Sequence, residues 1–311
     1  MELSQASGKQ WFLNLLRSGN FSLRTRRIIT AYVFLTPALV YFTIFYFLPL
    51  GLEFWASLRT GQPLVGSSNF AGLHNYLRAF QDPRALNSFQ VTFLFSLGYT
   101  VFGVTAGLAL ALMLNQKIPG RVPLRAILFF PYMTTFVIVA LMWANILDPY
   151  IGILNNALNF LNLPTQTWLA STGGALPALI GITIWHTAGY NMVLFLAGLQ
   201  GIPNEFYEAA KIDGASAWAR FWNITLPLLA PATLFVSIIS VINSLQAFAQ
   251  AYIITRGGPA DATRLFVYHI FNIAFTEVDF GYASAQAFLM LLVILALTMI
   301  QFRFGERELE Y

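Results

Sequence analysis

Six stretches of this chain, roughly residues 28–51, 88–114, 126–147, 176–199, 224–254 and 282–302, are long and apolar enough to cross a bilayer as helices. A spanning helix needs ~20 apolar residues, and the hydrocarbon offers no water to open backbone groups. No other feature constrains the fold as tightly. It predicts an all-α polytopic membrane protein with six transmembrane helices. Composition agrees, with 57% hydrophobic and only 10% charged residues, where soluble domains carry about 25% charge. Pro227 and Pro231 interrupt the fifth stretch, so its membrane section is expected to start after them.

Orientation follows from Lys and Arg, which concentrate on the cytoplasmic side. With the N-terminus inside, only Arg59, Arg78, Arg84, Arg256 and Arg264 of the 17 Lys and Arg fall outside. Both termini are therefore expected in the cytoplasm. The expected organisation is a basic N-terminal segment (1–27), a first helix with its external loop (28–87), a five-helix core (88–303) and a short cytoplasmic tail (304–311). In the N-terminal segment Trp11, Phe12, Leu15 and Leu16 are available to lie on membrane lipid.

Several chemistries are excluded. With Cys 0 there is no thiol catalysis, no Cys-held zinc and no disulfide. No G-x-x-x-x-G-K-[ST], H-E-x-x-H or G-x-S-x-G motif occurs, and His74, His186 and His269 are scattered. The chain is expected to be non-catalytic, to hold no cofactor or metal and to bind no nucleic acid. His186 is the one clear ionisable group inside a span. A buried neutral histidine bonded to a neighbouring helix is the simpler reading of it. Ion-driven carriers place charged groups at mid-membrane. Their absence here describes a passage whose power comes from a partner.

Residues 201–222 join the fourth and fifth spans on the expected cytoplasmic side. Asn204 is placed to cap a short helix, with Glu205 and Glu208 near its N-terminus, where the helix dipole favours negative charge. Ala209 and Ala210 continue it, Gly214 can end it in the left-handed region, and Ser216 can cap a second helix. Spacing puts Glu205, Glu208, Ala209 and Ile212 on one face. Such a helix suits insertion into a groove on a partner; an ordinary amphipathic connector fits the spacing as well.

Glu208-Ala-Ala-x-x-Asp213-Gly214, followed by Ile224-x-Leu226-Pro227, resembles the "EAA" signature of permease subunits of bacterial binding-protein-dependent ABC importers. Thr255-Arg-Gly-Gly-Pro259, Tyr268, Ala274-Phe275, Asp279-Phe-Gly-Tyr-Ala283 and Asn69-Phe-x-Gly-Leu-x-Asn-Tyr76 resemble the carbohydrate branch, related to the maltose and glycerol-3-phosphate importers. The resemblance implies the type I importer transmembrane fold in a bacterial or archaeal inner membrane. It implies three partners: a second, homologous permease, a cytoplasmic ATPase dimer holding ATP and Mg, and an extracytoplasmic solute-binding protein. Residues 201–222 would be the coupling loop. Glu205, Glu208, Ala209, Ala210, Asp213 and Gly214 would meet the ATPase, with Glu208 the acidic contact.

A sugar-like solute needs hydroxyl partners and flat apolar faces. Polar residues concentrate at Thr183, Trp185, His186, Thr187, Tyr190 and Asn191 in the fourth span, and at Ser237, Ser240, Asn243, Ser244, Gln246 and Gln250 in the fifth. Helical spacing groups Ser237, Ser240 and Ser244 on one face and Asn243, Gln246 and Gln250 on the next. Such residues also serve as hydrogen-bonding glue between helices. The resemblance implies a solute site at Thr183, Thr187, Tyr190, Ser240, Asn243, Ser244, Gln246 and Ala247. It leaves open a sugar, or glycerol-3-phosphate and related polyols; the absence of Lys and Arg in the spans favours the neutral solute. A self-sufficient carrier or channel and a non-transport scaffold are the competing readings. Gly103 and Gly107 are read as a helix-packing pair.

Overall fold

The computed structural model describes residues 23–63, 66–116 and 118–306. The expected membrane-surface segment around Trp11, Phe12, Leu15 and Leu16 and the end of the tail lie outside them. The chain divides into two compact units, Met1–Trp55 and Ala56–Tyr311.

In the first unit one continuous helix, α1, runs through Leu23–Phe42, Thr43–Phe47 and Leu48–Ser57, ending just across the unit boundary. It is longer at both ends than the apolar window predicts. Its middle section is a π turn. Pro49 has no N–H to give Phe45, and the wider turn takes up the mismatch. None of its described side chains within that unit is buried, and Phe34 is 80% exposed. A surface of that kind is stable against lipid or another apolar helix, not against water.

The second unit holds α2 (His74–Gln81), α3 (Pro83–Asn115), α4 (Arg121–Met133), α5 (Phe136–Ile146), α6 (Ile153–Phe160), α7 (Ala175–Gln200), α8 (Asn204–Ile212), α9 (Ala217–Leu228), α10 (Ala230–Leu245), the π-helical α11 (Gln250–Thr255), α12 (Phe266–Phe275) and α13 (Phe280–Glu306). Among the described residues there is no strand, only an isolated bridge between Arg59 and Phe70. Among the described residues four helices are long and apolar enough to span a membrane, and two bent pairs bring the number to six if each pair is one span.

The bends correct two windows. The third is not one helix: α4 and α5 meet at 94°, because Pro131 weakens the last turn of α4 and Thr134 takes an extended backbone (φ −82, ψ 136). The fifth divides at Leu229, between the two prolines, with a 65° bend; its second helix starts at Ala230 and holds Pro231 in its first turn, where proline is tolerated, rather than starting after both prolines. It then stops at Leu245, well short of residue 254. Gln246 leaves the helical register, and the chain resumes as α11.

The core is centred on α3 and α7. Gly107 lets them close: a Cβ there would lie 2.5 Å from Asn191 Cβ, while Asn191 Nδ2 donates to Gly103 O (3.2 Å). The glycine pair is a packing device, as its spacing predicts.

The stretches that carry the carbohydrate-branch resemblance meet at the end of the bundle opposite α8. Asn75, 1% exposed, donates to the carbonyls of Ser57 and Arg59. Gly281 lies so close to Arg59 that a Cβ would sit 2.0 Å from its carbonyl oxygen. Arg78 pairs with Asp279 at 2.7 Å and lies over the Tyr282 ring. Asp82 caps α3 through the Arg84 amide and accepts from Tyr282 Oη. Burial opposes its ionisation, but these hydrogen bonds outweigh it and hold the carboxyl below its usual range. Thr255–Pro259 folds over α12, where Thr263 Oγ1 donates to Gly258 O and Tyr268 Oη donates to Arg256 O.

The loop between α5 and α7 hangs on one side chain. Asn155, 3% exposed, donates to Pro149 O and Gln166 O and accepts from Gln166 N and Trp168 Nε1. Asn155→Ala should remove four part-buried hydrogen bonds at once, each with a net worth of ~0.5–1.5 kcal/mol. Limited proteolysis of the purified protein should then cut between Asp148 and Ser171 far faster than in the wild type; an unchanged cutting rate would contradict this role.

Candidate functional site

α3, α5, α7, α10 and the turn into α11 surround a cavity of about 380 Å³, within the usual range of small-molecule sites. It lies roughly 20 Å along α3 from Pro83, at ~1.5 Å per residue. Thr183, His186 and Thr187 line it from α7, Asn243 and Ser244 from α10, and Gln246, Ala247 and Gln250 from the turn and α11. No Asp, Glu, Lys or Arg is among its lining residues.

Six of the eight residues proposed for the solute are therefore brought together: Thr183, Thr187, Asn243, Ser244, Gln246 and Ala247. Two are placed elsewhere. Tyr190 stacks on Tyr132 (4.5 Å between centroids, 18° between planes), and Ser240, 1% exposed, packs beneath the wall. Asn243, Gln246 and Gln250 do share the cavity, though not as one helical face. The helix ends at Leu245, and it is the turn that swings the two glutamines in. Ser237 faces a separate cleft with Gln301 near the far end of α13.

Residues that sequence reasoning missed complete the lining. Phe95, Tyr99, Phe136 and Phe248 supply flat apolar faces. Tyr99 and Ser96, polar groups spaced three apart in an apolar helix, were the available signal. Ser96 Oγ lies 2.7 Å from Ser244 Oγ, and Tyr99 Oη donates to Thr187 Oγ1 (3.2 Å). His186 is bonded to the neighbouring broken span, its Nε2 lying 3.1 Å from Thr134 O.

The second site is the turn between α8 and α9. Pro203, not Asn204, occupies the N-cap (φ −60, ψ 135); its fixed φ sets the entry, and Asn204 is the first helical residue, with no side-chain cap. The other end follows the expectation. Gly214 has φ +77, its N–H donates to Lys211 O, and Ala215 N–H donates to Ala210 O, which together make a Schellman turn. Ser216 Oγ then accepts from Ala219 N. Tyr207 Oη lies 3.0 Å from Thr225 Oγ1 and Arg220 donates to Ala215 O, so the two helices are held at a set angle. Glu205, Glu208, Ala209, Asp213 and Gly214 are exposed, and Ala210 is half-buried. Ile212, 87% exposed, stands in the same face. Neither glutamate has an ion-pair partner among the described residues.

Residues 103–310 match the family described as binding-protein-dependent transport system inner membrane component. The chain belongs to that family. The inner membrane component is 35% identical over 286 residues to the sn-glycerol-3-phosphate transport system permease protein UgpA of Yersinia pestis, covering 90% of this chain and 95% of the relative. It is 34% identical to the trehalose/maltose transport system permease protein MalF of Thermococcus litoralis, covering 91% and 96%. Its fold is that of a chain in the crystal structure of a bacterial alginate ABC transporter in complex with its alginate pentasaccharide-bound periplasmic protein. That match has a TM-score of 0.78 and 24% identity, over 91% of this chain and 96% of that one. The inner membrane component is thus a transport permease with the type I importer fold. Its matched region begins inside α3, after Phe95 and Tyr99, and takes in the rest of the cavity lining and the α8–α9 turn.

Proposed function

We propose that this permease forms half of the passage for a neutral sugar or sugar-like polyol, driven by ATP hydrolysis on a cytoplasmic ATPase dimer that holds the ATP and Mg. The α8–α9 turn docks in that ATPase, with Glu205, Glu208, Ala209, Ala210, Asp213 and Gly214 at the contact. A second, homologous permease completes the passage, and an extracytoplasmic binding protein delivers the solute. The chain sits in a bacterial or archaeal inner membrane with both termini in the cytoplasm.

One observation carries the reading: an uncharged cavity of amides, hydroxyls and aromatic rings lies within the spans, with no carboxylate or cation to couple an ion. Thr183, Thr187, Asn243, Ser244, Gln246 and Ala247 line it and would touch the solute. Tyr190 and Ser240 would act from behind the wall, through Tyr132 and through the packing of α10. The similarity to the sn-glycerol-3-phosphate permease favours a second reading, a phosphorylated polyol. The cavity lining holds no cation for a phosphate, which sets that reading second.

Competition uptake in cells carrying the whole transporter separates the two. Unlabelled trehalose or maltose should suppress uptake of a labelled neutral disaccharide, and sn-glycerol-3-phosphate should not. Transport of sn-glycerol-3-phosphate alone would reverse the order.

A further inference from the structure

The hydroxyls around the cavity all direct their hydrogens at the protein. Thr183 Oγ1 donates to Leu179 O (2.8 Å), and Thr187 Oγ1 donates to Thr183 O (2.9 Å). Tyr99 donates to Thr187. Ser244 Oγ donates to Val241 O (2.8 Å), which leaves Ser96 to donate to Ser244. His186 follows the same rule. Thr134 O can only accept, so Nε2 carries the hydrogen, and in the neutral ring Nδ1 is a bare acceptor. The carboxamides of Asn243, Gln246 and Gln250 make no hydrogen bond among the described residues, so their N–H donors stay free.

We infer that the cavity is sorted by hydrogen-bond polarity: the α7 wall, built from Thr183, His186 and Thr187, only accepts, and the side-chain donors come from the α10–α11 wall. This deepens the proposed function and rests on its reading of the cavity as the solute site. Each sugar hydroxyl donates one hydrogen bond and accepts others, so a polyhydroxylated neutral solute satisfies both walls at once. A phosphate dianion has only acceptors. Against the α7 wall it would face lone pairs with no hydrogen between them, and desolvating it there is unfavourable. The lining thus selects through donor–acceptor mismatch as well as through its missing cation. His186 becomes a specificity-determining residue, with one nitrogen fixed on the broken third span and the other presented to the solute.

Two measurements on the intact transporter test this. Solid-state NMR with 15N-labelled histidine, assigned to His186 by the His186→Asn variant, reads the tautomer without any solute. A protonated Nε2 and bare Nδ1 at neutral pH are expected; a protonated Nδ1 overturns the inference. Uptake is then compared for trehalose, maltose and their singly deoxy and singly fluorodeoxy analogues. Fluorine keeps weak acceptor character and loses the hydrogen. At the hydroxyls facing α7, both analogues should lose about tenfold in apparent affinity, the scale of one hydrogen bond of ~1.4 kcal/mol. Thr183→Val and His186→Leu should each erase that difference between parent and analogue. If fluoro analogues match the parent at every hydroxyl, the sorting is wrong while the sugar reading stands. If only sn-glycerol-3-phosphate is carried, both fall. Should His186→Leu fail to assemble, Thr183→Val and the tautomer decide.

Discussion

Gly189→Val should collapse the packing of the third span on the fourth. A Cβ at Gly189 would lie 2.0 Å from Leu128 O and 2.8 Å from Phe129 Cα. Both are backbone atoms of α4, so no side-chain rotation relieves the clash. Overpacking a tight core typically costs ~1–3 kcal/mol, and a backbone collision with no escape belongs at or above the top of that range. The displaced α4 leads directly into Thr134, so the His186 contact and the cavity wall go with it. A fall of several degrees in the thermal transition of detergent-purified protein is expected, together with loss of solute uptake. Gly181→Ala is the control. It lies two turns away on the same helix, with nothing within 4 Å of a new Cβ. It should leave stability equal to wild type or raise it by up to ~1 kcal/mol, through helix propensity. Equal behaviour of the two variants would contradict the close approach of α4 and α7.

Glu208→Lys should abolish uptake while leaving the permease folded. Glu208 is exposed, lies past the first turn of α8 and has no ion-pair partner among the described residues, so reversing its charge should leave the thermal transition within about 0.5 kcal/mol of wild type. In the ATPase groove proposed for this turn it would replace attraction by repulsion, and both assembly and stimulated ATP hydrolysis should fall more than tenfold. Gly214→Val acts by another route. At φ +77 a β-branched side chain meets ~1–2 kcal/mol of backbone strain, so the Schellman turn loosens and the angle between α8 and α9 is lost. Wild-type assembly and uptake in Glu208→Lys would leave residues 201–222 as a mere connector.

How much of this was legible in the sequence differs from element to element. The spans were, because ~20 apolar residues have no other home. So was the end of α8, since Gly214 and Ser216 act through local geometry that neighbours rarely override. The start of α8 was not: Asn204 and Pro203 both suit a helix entry, and the fixed φ of proline decided between them. The elbow at Thr134 was hidden because its only local sign is Pro131, which stays helical itself; the break is completed by the packing of α4 on α7. The cavity was half legible. Amides and hydroxyls stand out in apolar helices, whereas Phe95, Phe136 and Phe248 look the same in sequence whether they face lipid or solute. Tyr190 and Ser240 each sit about one helical turn from a lining residue, Thr187 and Asn243, and helical periodicity alone does not say how far along a helix the cavity extends. The two glutamines reached the cavity through a turn, which periodic spacing does not describe.

The central claim is that this permease supplies a path and no power. Its most direct test is accumulation of labelled solute in vesicles containing the permease pair and binding protein, with and without the ATPase subunit and ATP. Uptake against a gradient only when ATPase and ATP are both present is the predicted result. Accumulation driven by an ion gradient across vesicles that lack the ATPase would contradict it.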